Sequence, residues 1–145
     1  MFTWLLYKIV RFKRSLLSTH GKHIRVLIAD TFAKQLVGLM YRSELREDEG
    51  MLFVFGRDSR WGIWMANMRF SIDIIWIDSK KRVVDIKKCV KPCTSILDCK
   101  TYYPSRSARY VLELAGGSTS KIGTKIGETI SLPSTLLHNL GHRRL

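Results

Sequence analysis

Apolar residues along this chain fall into short runs broken by glycine, proline or charge, which is the spacing of strands rather than of long helices. Ile24–Ala29 is an aliphatic run that predicts a strand, and Met51–Phe55 predicts another, bounded by Gly50 and Gly56. Trp61–Met65 follows after a loop at Arg57–Arg60. Ile72–Ile77 is almost unbroken in its apolar character, so it predicts a strand buried on both faces. Ser79-Lys80-Lys81 suits a hairpin turn into Arg82–Lys88, whose charges predict a more exposed strand. Tyr110–Leu114 alternates at the strand period until Gly116-Gly117 stops it, and Thr129–Leu132 reads as a final strand.

Two stretches follow the helical period instead. Phe32, Leu36, Leu39 and Met40 share a face behind the N-cap candidates Asp30-Thr31. Near the start, Leu5, Ile9, Phe12 and Leu16 would share a face of one helix, with Lys8, Arg11 and Arg14 on another. Ser118–Ile122 suits a short helical turn ending at Gly123, and Val90–Ser107 is a long irregular region. These elements predict a sheet-dominated α+β fold of about seven mostly antiparallel strands, with one helix in the body and an amphipathic N-terminal helix. A barrel-like closure is one way for such a sheet to remove its edges. The expected organisation is a basic segment at 1–20, a linker at Ser18–Gly21, a globular domain at 23–132 and a basic tail at 133–145.

Charge changes the picture at the flanks. The formal net charge is +13, from 25 Lys+Arg against 12 Asp+Glu. Met1–Ala29 holds Lys8, Arg11, Lys13, Arg14, Lys22 and Arg25 and no acidic residue, and Arg143 and Arg144 add charge at the other end. Such a field suits an anionic membrane surface, met through residues 1–17, or nonspecific contact with nucleic acid. Lys80-Lys81-Arg82 and Lys87-Lys88 add basic strand edges, without a nucleic-acid reading motif. The apolar run Phe2–Val10 is far shorter than the ~20 residues of a bilayer span, and its charge follows it rather than preceding it as in a secretory signal. The expected location is therefore cytoplasmic or peripheral to a membrane.

Candidate chemistry concentrates in Trp61–Asp73. Asn67 and Asp73 punctuate one of the most apolar parts of the chain, and a polar group there must find hydrogen-bond partners. Beside the apolar wall of Trp61, Trp64 and Met65 they could orient a small ligand; the alternative is that they tie down a loop between core strands. Glu113, opposite in phase to Tyr110, Leu112 and Leu114, is either a second carboxylate for acid–base or metal work with Asp73 or a solvent-facing residue. Cys93 and Cys99 could close a short disulfide loop, with Cys89 left over. The cysteine spacing is not that of a zinc site or a redox Cys-x-x-Cys, and His138 and His142 lack a third ligand. No phosphate-cradling glycine loop, Gly-x-Ser-x-Gly elbow or His-Glu-x-x-His is present, so no cofactor or metal is expected.

Several strings, in order, resemble the family called domain of unknown function 192. They are Gly38-Leu39-Met40-Tyr41-Arg42, Asp48–Phe55, Trp64-Met65-Ala66-Asn67, Ile72–Asp78, Pro92-Cys93, Tyr103-Pro104, Ala108–Leu114, Gly117 and Ile126-Gly127-Glu128. The resemblance runs from about Ile24 to Leu132 and implies a small sheet-dominated α+β domain, without an activity or a mechanism.

Three functions are compatible with these residues. The favoured one is a noncatalytic module that binds an unidentified small ligand or protein partner through Trp64, Asn67, Asp73 and Glu113. An enzyme using Asp73 and Glu113 needs the two carboxylates in one cleft. A basic protein associated nonspecifically with nucleic acid needs only surface charge.

Overall fold

The computed structural model describes residues 2–138. In chain order the elements are helix α1 (Phe2–Ile9), strands β1 (Lys13–Thr19) and β2 (Lys22–Ala29), helix α2 (Phe32–Val37), and strand β3 (Glu49–Ser59). Strands β4 (Ile63–Trp64), β5 (Ile72–Ile77), β6 (Val83–Val90), β7 (Thr101–Tyr102) and β8 (Ala108–Ala115) follow, then short helices α3 (Ser118–Ile122) and α4 (Thr135–His138). Six strands form one sheet in the order β1-β2-β3-β8-β5-β6, and β4 pairs with β7 in a separate ribbon. All pairs are antiparallel except β2 with β3. A parallel pair needs a crossover, and α2 supplies it.

The apolar run at Ile72–Ile77 is explained by its place. All six residues of β5 are buried between β8 and β6. Its side chains alternate between two cores, because successive residues of a strand face opposite ways. Ile75 and Ile77 join Leu17, Ile24, Val26, Leu52, Leu112 and Leu114 on one side. Ile72, Ile74 and Trp76 join Leu39, Met51, Phe53, Met65 and Val111 on the other. β8 is covered in the same way, so its alternating letters do not mean a half-exposed strand.

The sheet stays open instead of closing into a barrel, with β1 and β6 at its edges. Segment 127–131 ties those edges together at one end. Ile130 N–H donates to the Lys81 carbonyl (2.9 Å), Val83 N–H to the Glu128 carbonyl (2.8 Å) and Ser18 N–H to the Ser131 carbonyl (3.3 Å). The strand expected at Thr129–Leu132 is thus reduced to isolated bridges, Arg82 with Thr129 and Ser18 with Ser131.

The N-terminal expectation needs correction. The helix ends at Ile9, and the chain from Lys13 to Thr19 is an edge strand. Leu5 and Ile9 therefore lie on the helix, four residues apart, and Phe12 and Leu16 do not continue their face. Leu17 explains why: as a strand residue paired with Ile24 it is wholly buried, a gain that a separate surface helix would not offer. The expected linker at Ser18–Gly21 is consequently the end of β1 followed by a two-residue hairpin turn, His20-Gly21. Beyond Leu132, Leu136 is buried in the first core, so the described start of the expected tail packs on the body. Arg143, Arg144 and the His142 half of the histidine pair lie outside the described residues.

At α2 the local forecast matches the structure at its start. The Thr31 hydroxyl accepts from Lys34 N–H (3.3 Å), as an N-cap should. The helix stops at Val37, and Gly38 turns with φ of 48° against the ring of Phe53. An added Cβ at Gly38 would sit 3.3 Å from that ring, so this tight approach favours glycine.

Candidate functional site

The second core is not sealed. Between α2, β3 and the segment carrying β4 lies a cleft of about 250 Å³. Phe32, Leu36 and Met40 form one wall, and Phe53, Phe55, Trp61 and Trp64 form most of the other. Among the described residues, Glu113 is the only acidic one that reaches it.

Each wall has an identifiable support. Gln35 donates through Nε2 to the carbonyls of Ala29 (3.2 Å) and Val54 (2.9 Å), which clamps α2 onto the end of β2 and the middle of β3. Phe53 and Phe55 face the same side of β3, as period two requires, with near-parallel rings 6.3 Å apart. Phe55 then stacks on Trp61 at 4.2 Å. Buried Trp76 donates its indole N–H to the Trp61 carbonyl (2.8 Å), which fixes the backbone beneath that stack. Register between β3 and β8 shifts after Val54, so the end of β3 leaves the ladder and carries Phe55 toward the cleft.

The ribbon of β4 and β7 holds the outer lip. Gly62 lies against Tyr103 and Thr101, where an added Cβ would meet side-chain atoms at 2.6 and 2.7 Å. Cys93 and Cys99, which the sequence left open as a pair, form a disulfide that closes the loop just before β7. Cys89 is free and exposed.

Glu113 is 4% exposed, which overturns the solvent-facing alternative for it. Its carboxyl takes part in none of the side-chain hydrogen bonds or ion pairs among the described residues. Burial lifts that carboxyl from the ordinary 4.5 to about 8, so near neutral pH it is largely protonated. In that form it offers one O–H donor together with acceptor oxygens.

Of the residues singled out in the sequence, Trp64 and Glu113 meet in this cleft, and Asn67 and Asp73 do not line it. Asp73 is wholly buried and serves the backbone. Its Oδ1 accepts from Cys89 N–H (2.8 Å) and Gly117 N–H (3.1 Å), and its Oδ2 from Thr119 N–H (2.8 Å). The Cys89 N–H is available because the β5–β6 register slips between Ile72 and Ile74. Asn67 is a loop residue with φ of 57°, a conformation that asparagine tolerates better than most residues. Its carbonyl accepts from Tyr41 N–H (3.0 Å), and its side-chain amide lies 3.8 Å from the Met40 sulfur. It braces the loop behind the cleft.

Sequence reasoning missed Phe32, Gln35, Phe53, Phe55, Met40 and Met68 as lining residues. One signal for them existed: Phe53 and Phe55 stand two apart, on one face of a strand, a few residues ahead of Trp61. Among the described residues no three His, Cys, Asp or Glu side chains cluster as a metal site would need. No helix among them is long and apolar enough to cross a membrane.

Comparison with known proteins agrees with this architecture. The DUF192 model, described as an uncharacterized ACR, matches residues 15–132. A UPF0127 protein of Thermococcus kodakarensis is 34% identical over 121 residues, covering 81% of this chain and 71% of its own. One from Thermococcus gammatolerans is 36% identical over 111 residues, covering 75% and 67%. A solved protein of Sinorhizobium meliloti, described as a candidate transcription regulator, superposes with a TM-score of 0.75 at 26% identity, over 84% of this chain and 95% of that one. A protein of unknown function from Novosphingobium aromaticivorans gives 0.73 at 29%, over 83% and 85%.

Proposed function

We propose that this chain, which belongs to the DUF192 family, is a noncatalytic binding module whose ligand is small, flat and largely apolar and carries one hydrogen-bonding group. The observation that carries this reading is the lone carboxyl of Glu113 reaching a largely apolar cleft rich in aromatic rings. The carboxyl is almost wholly withdrawn from bulk water and opens to the cleft, so a ligand that bonds to it restores hydrogen bonding that burial has reduced. Stacked Phe55 and Trp61 supply a flat wall suited to a ring. The volume of about 250 Å³ lies below the roughly 300–1,000 Å³ of drug-sized sites, which points to a ligand of one or two rings. A catalytic reading has less behind it, since its two carboxylates do not share the cleft.

Benzylamine, phenol, indole and toluene form a suitable probe set, because they share a ring and differ in their polar group. Titration followed through the indole N–H resonances of Trp61 and Trp64 should saturate for the probes with a polar group, and more weakly for toluene. Glu113→Leu should abolish that preference. If no probe perturbs either tryptophan, or if the variant keeps the wild-type ranking, the proposal fails.

A second reading concerns location. Phe2, Leu5 and Ile9 of α1 are 67%, 53% and 70% exposed, and the helix buries no residue. Lys8 lies on that helix, and Arg11, Lys13 and Arg14 follow it. Apolar side chains beside a cationic cluster suit the interface of an anionic membrane. Nucleic acid would use the charges but leave the apolar side chains in water. Flotation with phosphatidylglycerol vesicles should therefore lose the protein when Phe2, Leu5 and Ile9 become serine, and equal flotation of both forms would overturn this reading.

A further inference from the structure

On the same face of the sheet as the aromatic cleft, at its β1–β2 end, a second and smaller cleft of about 120 Å³ is bordered by Arg14, Arg25 and Arg42. The three come from different segments: β1, β2 and the loop after α2. Strand register places two of them together. Arg14 pairs with Leu27, and Arg25 lies two residues from Leu27, so Arg14 and Arg25 project from one face. Arg25 donates to Asp48 (2.6 Å), which fixes one edge of its guanidinium. Arg42 reaches the cleft past the ring of Phe12, 5.9 Å from its guanidinium carbon.

Two features call for an anion. First, three guanidinium groups border the cleft against the carboxylate of Glu49 and that of Asp48, which pairs with Arg25, so a surplus of +1 remains. Like charges gathered at one concavity repel unless a counter-charge sits between them. Second, the Nε of Arg42 is buried and has no hydrogen-bond partner among the described residues. Buried guanidinium donors are normally satisfied, and Nε–H together with a terminal N–H is the fork that grips two oxygens of one oxyanion.

We propose that this cleft binds a phosphate monoester. Donors arriving from three segments suit a tetrahedral group better than a planar carboxylate, and a phosphate oxyanion supplies the counter-charge that Arg14 and Arg42 lack. Arg42, turning its covered Nε–H toward the cleft it already borders, supplies the fork, and Arg14 and Arg25 close on the remaining oxygens. The phosphate could belong to a soluble metabolite or to a lipid headgroup, since the chemistry at the arginines is the same.

The test uses the whole chain, with the arginine Nε–H resonances followed as glycerol phosphate is added against a matched concentration of sodium chloride. Glycerol phosphate should shift the Arg42 Nε–H in a saturable way, and acetate should not. Arg42→Ala should weaken binding about tenfold or more. Arg14→Ala, at an exposed position where folding is not at risk, should weaken it severalfold, and Arg106→Ala on a distant loop should have no effect. A parallel arm with phosphatidic acid vesicles separates the sources: tighter binding there than to glycerol phosphate assigns a lipid headgroup, and equal or weaker binding assigns a soluble ester. The proposal is overturned if the Arg42 resonance does not saturate in either arm, or if Arg14→Ala and Arg106→Ala bind alike.

Discussion

Asp73 and Glu113 stand on paired strands one step out of register, and their carboxyls point to opposite faces of the sheet. Asp73 is opposite Leu114, and Glu113 is opposite Ile74. Cross-strand partners share a face and neighbours along a strand do not, so Asp73 projects with Leu112 and Leu114, and Glu113 with Ile74 and Trp76. Asp73 meets three backbone N–H groups, whereas Glu113 meets an apolar cleft. Two acids adjacent in space thus have separate duties.

Glu113 makes stability depend on pH in an unusual direction. Its folded value of about 8 lies above the ordinary 4.5, so between those limits the folded chain keeps a proton that the unfolded chain has lost. Stability contributed by the neutral acid is full below pH 4.5, falls as pH rises, and levels off above about 8. At about 1.4 kcal/mol per pH unit the span is of order 5 kcal/mol at most. Glu113→Gln should flatten this part of the profile and exceed the wild type in stability at pH 8. Urea unfolding of both proteins from pH 5 to pH 9 measures the difference, and parallel curves would contradict the assignment.

Asp73→Ala should harm folding. It leaves three N–H groups without their acceptor, two of them at the start of α3, and opens a space in the first core. A loss of about 3–5 kcal/mol is expected, because the bonds are charge-assisted and buried. Chemical denaturation should show it as a lower midpoint. In whatever fraction remains folded, ring-probe affinity should stay near that of the wild type.

Trp64→Ala should give the reverse pattern. This side chain is 40% exposed at the cleft's lip, so truncation costs the free protein little, on the order of 1 kcal/mol. Affinity for a ring probe should fall about tenfold, since an aromatic wall is removed. Calorimetric titration beside a thermal melt separates the two effects. A large fall in melting temperature with unchanged affinity would place Trp64 in the core rather than in a site.

Gly62→Ala tests whether the β4–β7 ribbon shapes the cleft. The new methyl would overlap Tyr103 and Thr101 and push the ribbon apart, at about 1–3 kcal/mol. Both stability and probe binding should drop. Replacing Cys93 and Cys99 with serine should cost about 2 kcal/mol through the freed loop and loosen the same ribbon. A variant that loses stability but binds the probes normally would show that the lip is not part of the site.

Much of the framework is legible in the letters alone. Six apolar-dominated positions at Ile72–Ile77 already call for a central strand. Thr31 ahead of a helical stripe and Ser79-Lys80-Lys81 between two strands mark their own turns. The disulfide pair was legible as a possibility, and the family resemblance was carried by strings that recur in order. The expected helix runs too far because Phe12 and Leu16 continue the helical spacing of Leu5 and Ile9 as well as they fit the approach to an edge strand. Only pairing with Ile24 makes Leu17 more useful in a strand.

The site was decided elsewhere. Local sequence determined that Glu113 sits in a strand with strongly apolar neighbours, and that Asp73 interrupts an apolar run. Nothing local states what covers the far side of β8, so a half-exposed strand and a doubly buried one look identical in their letters. The fate of each carboxyl depends on which loop, helix or strand is laid over its face, and that is a matter of contacts between residues far apart in the chain. Tertiary packing alone brought Phe32, Phe55 and Trp64 over Glu113, and the backbone of α3 over Asp73.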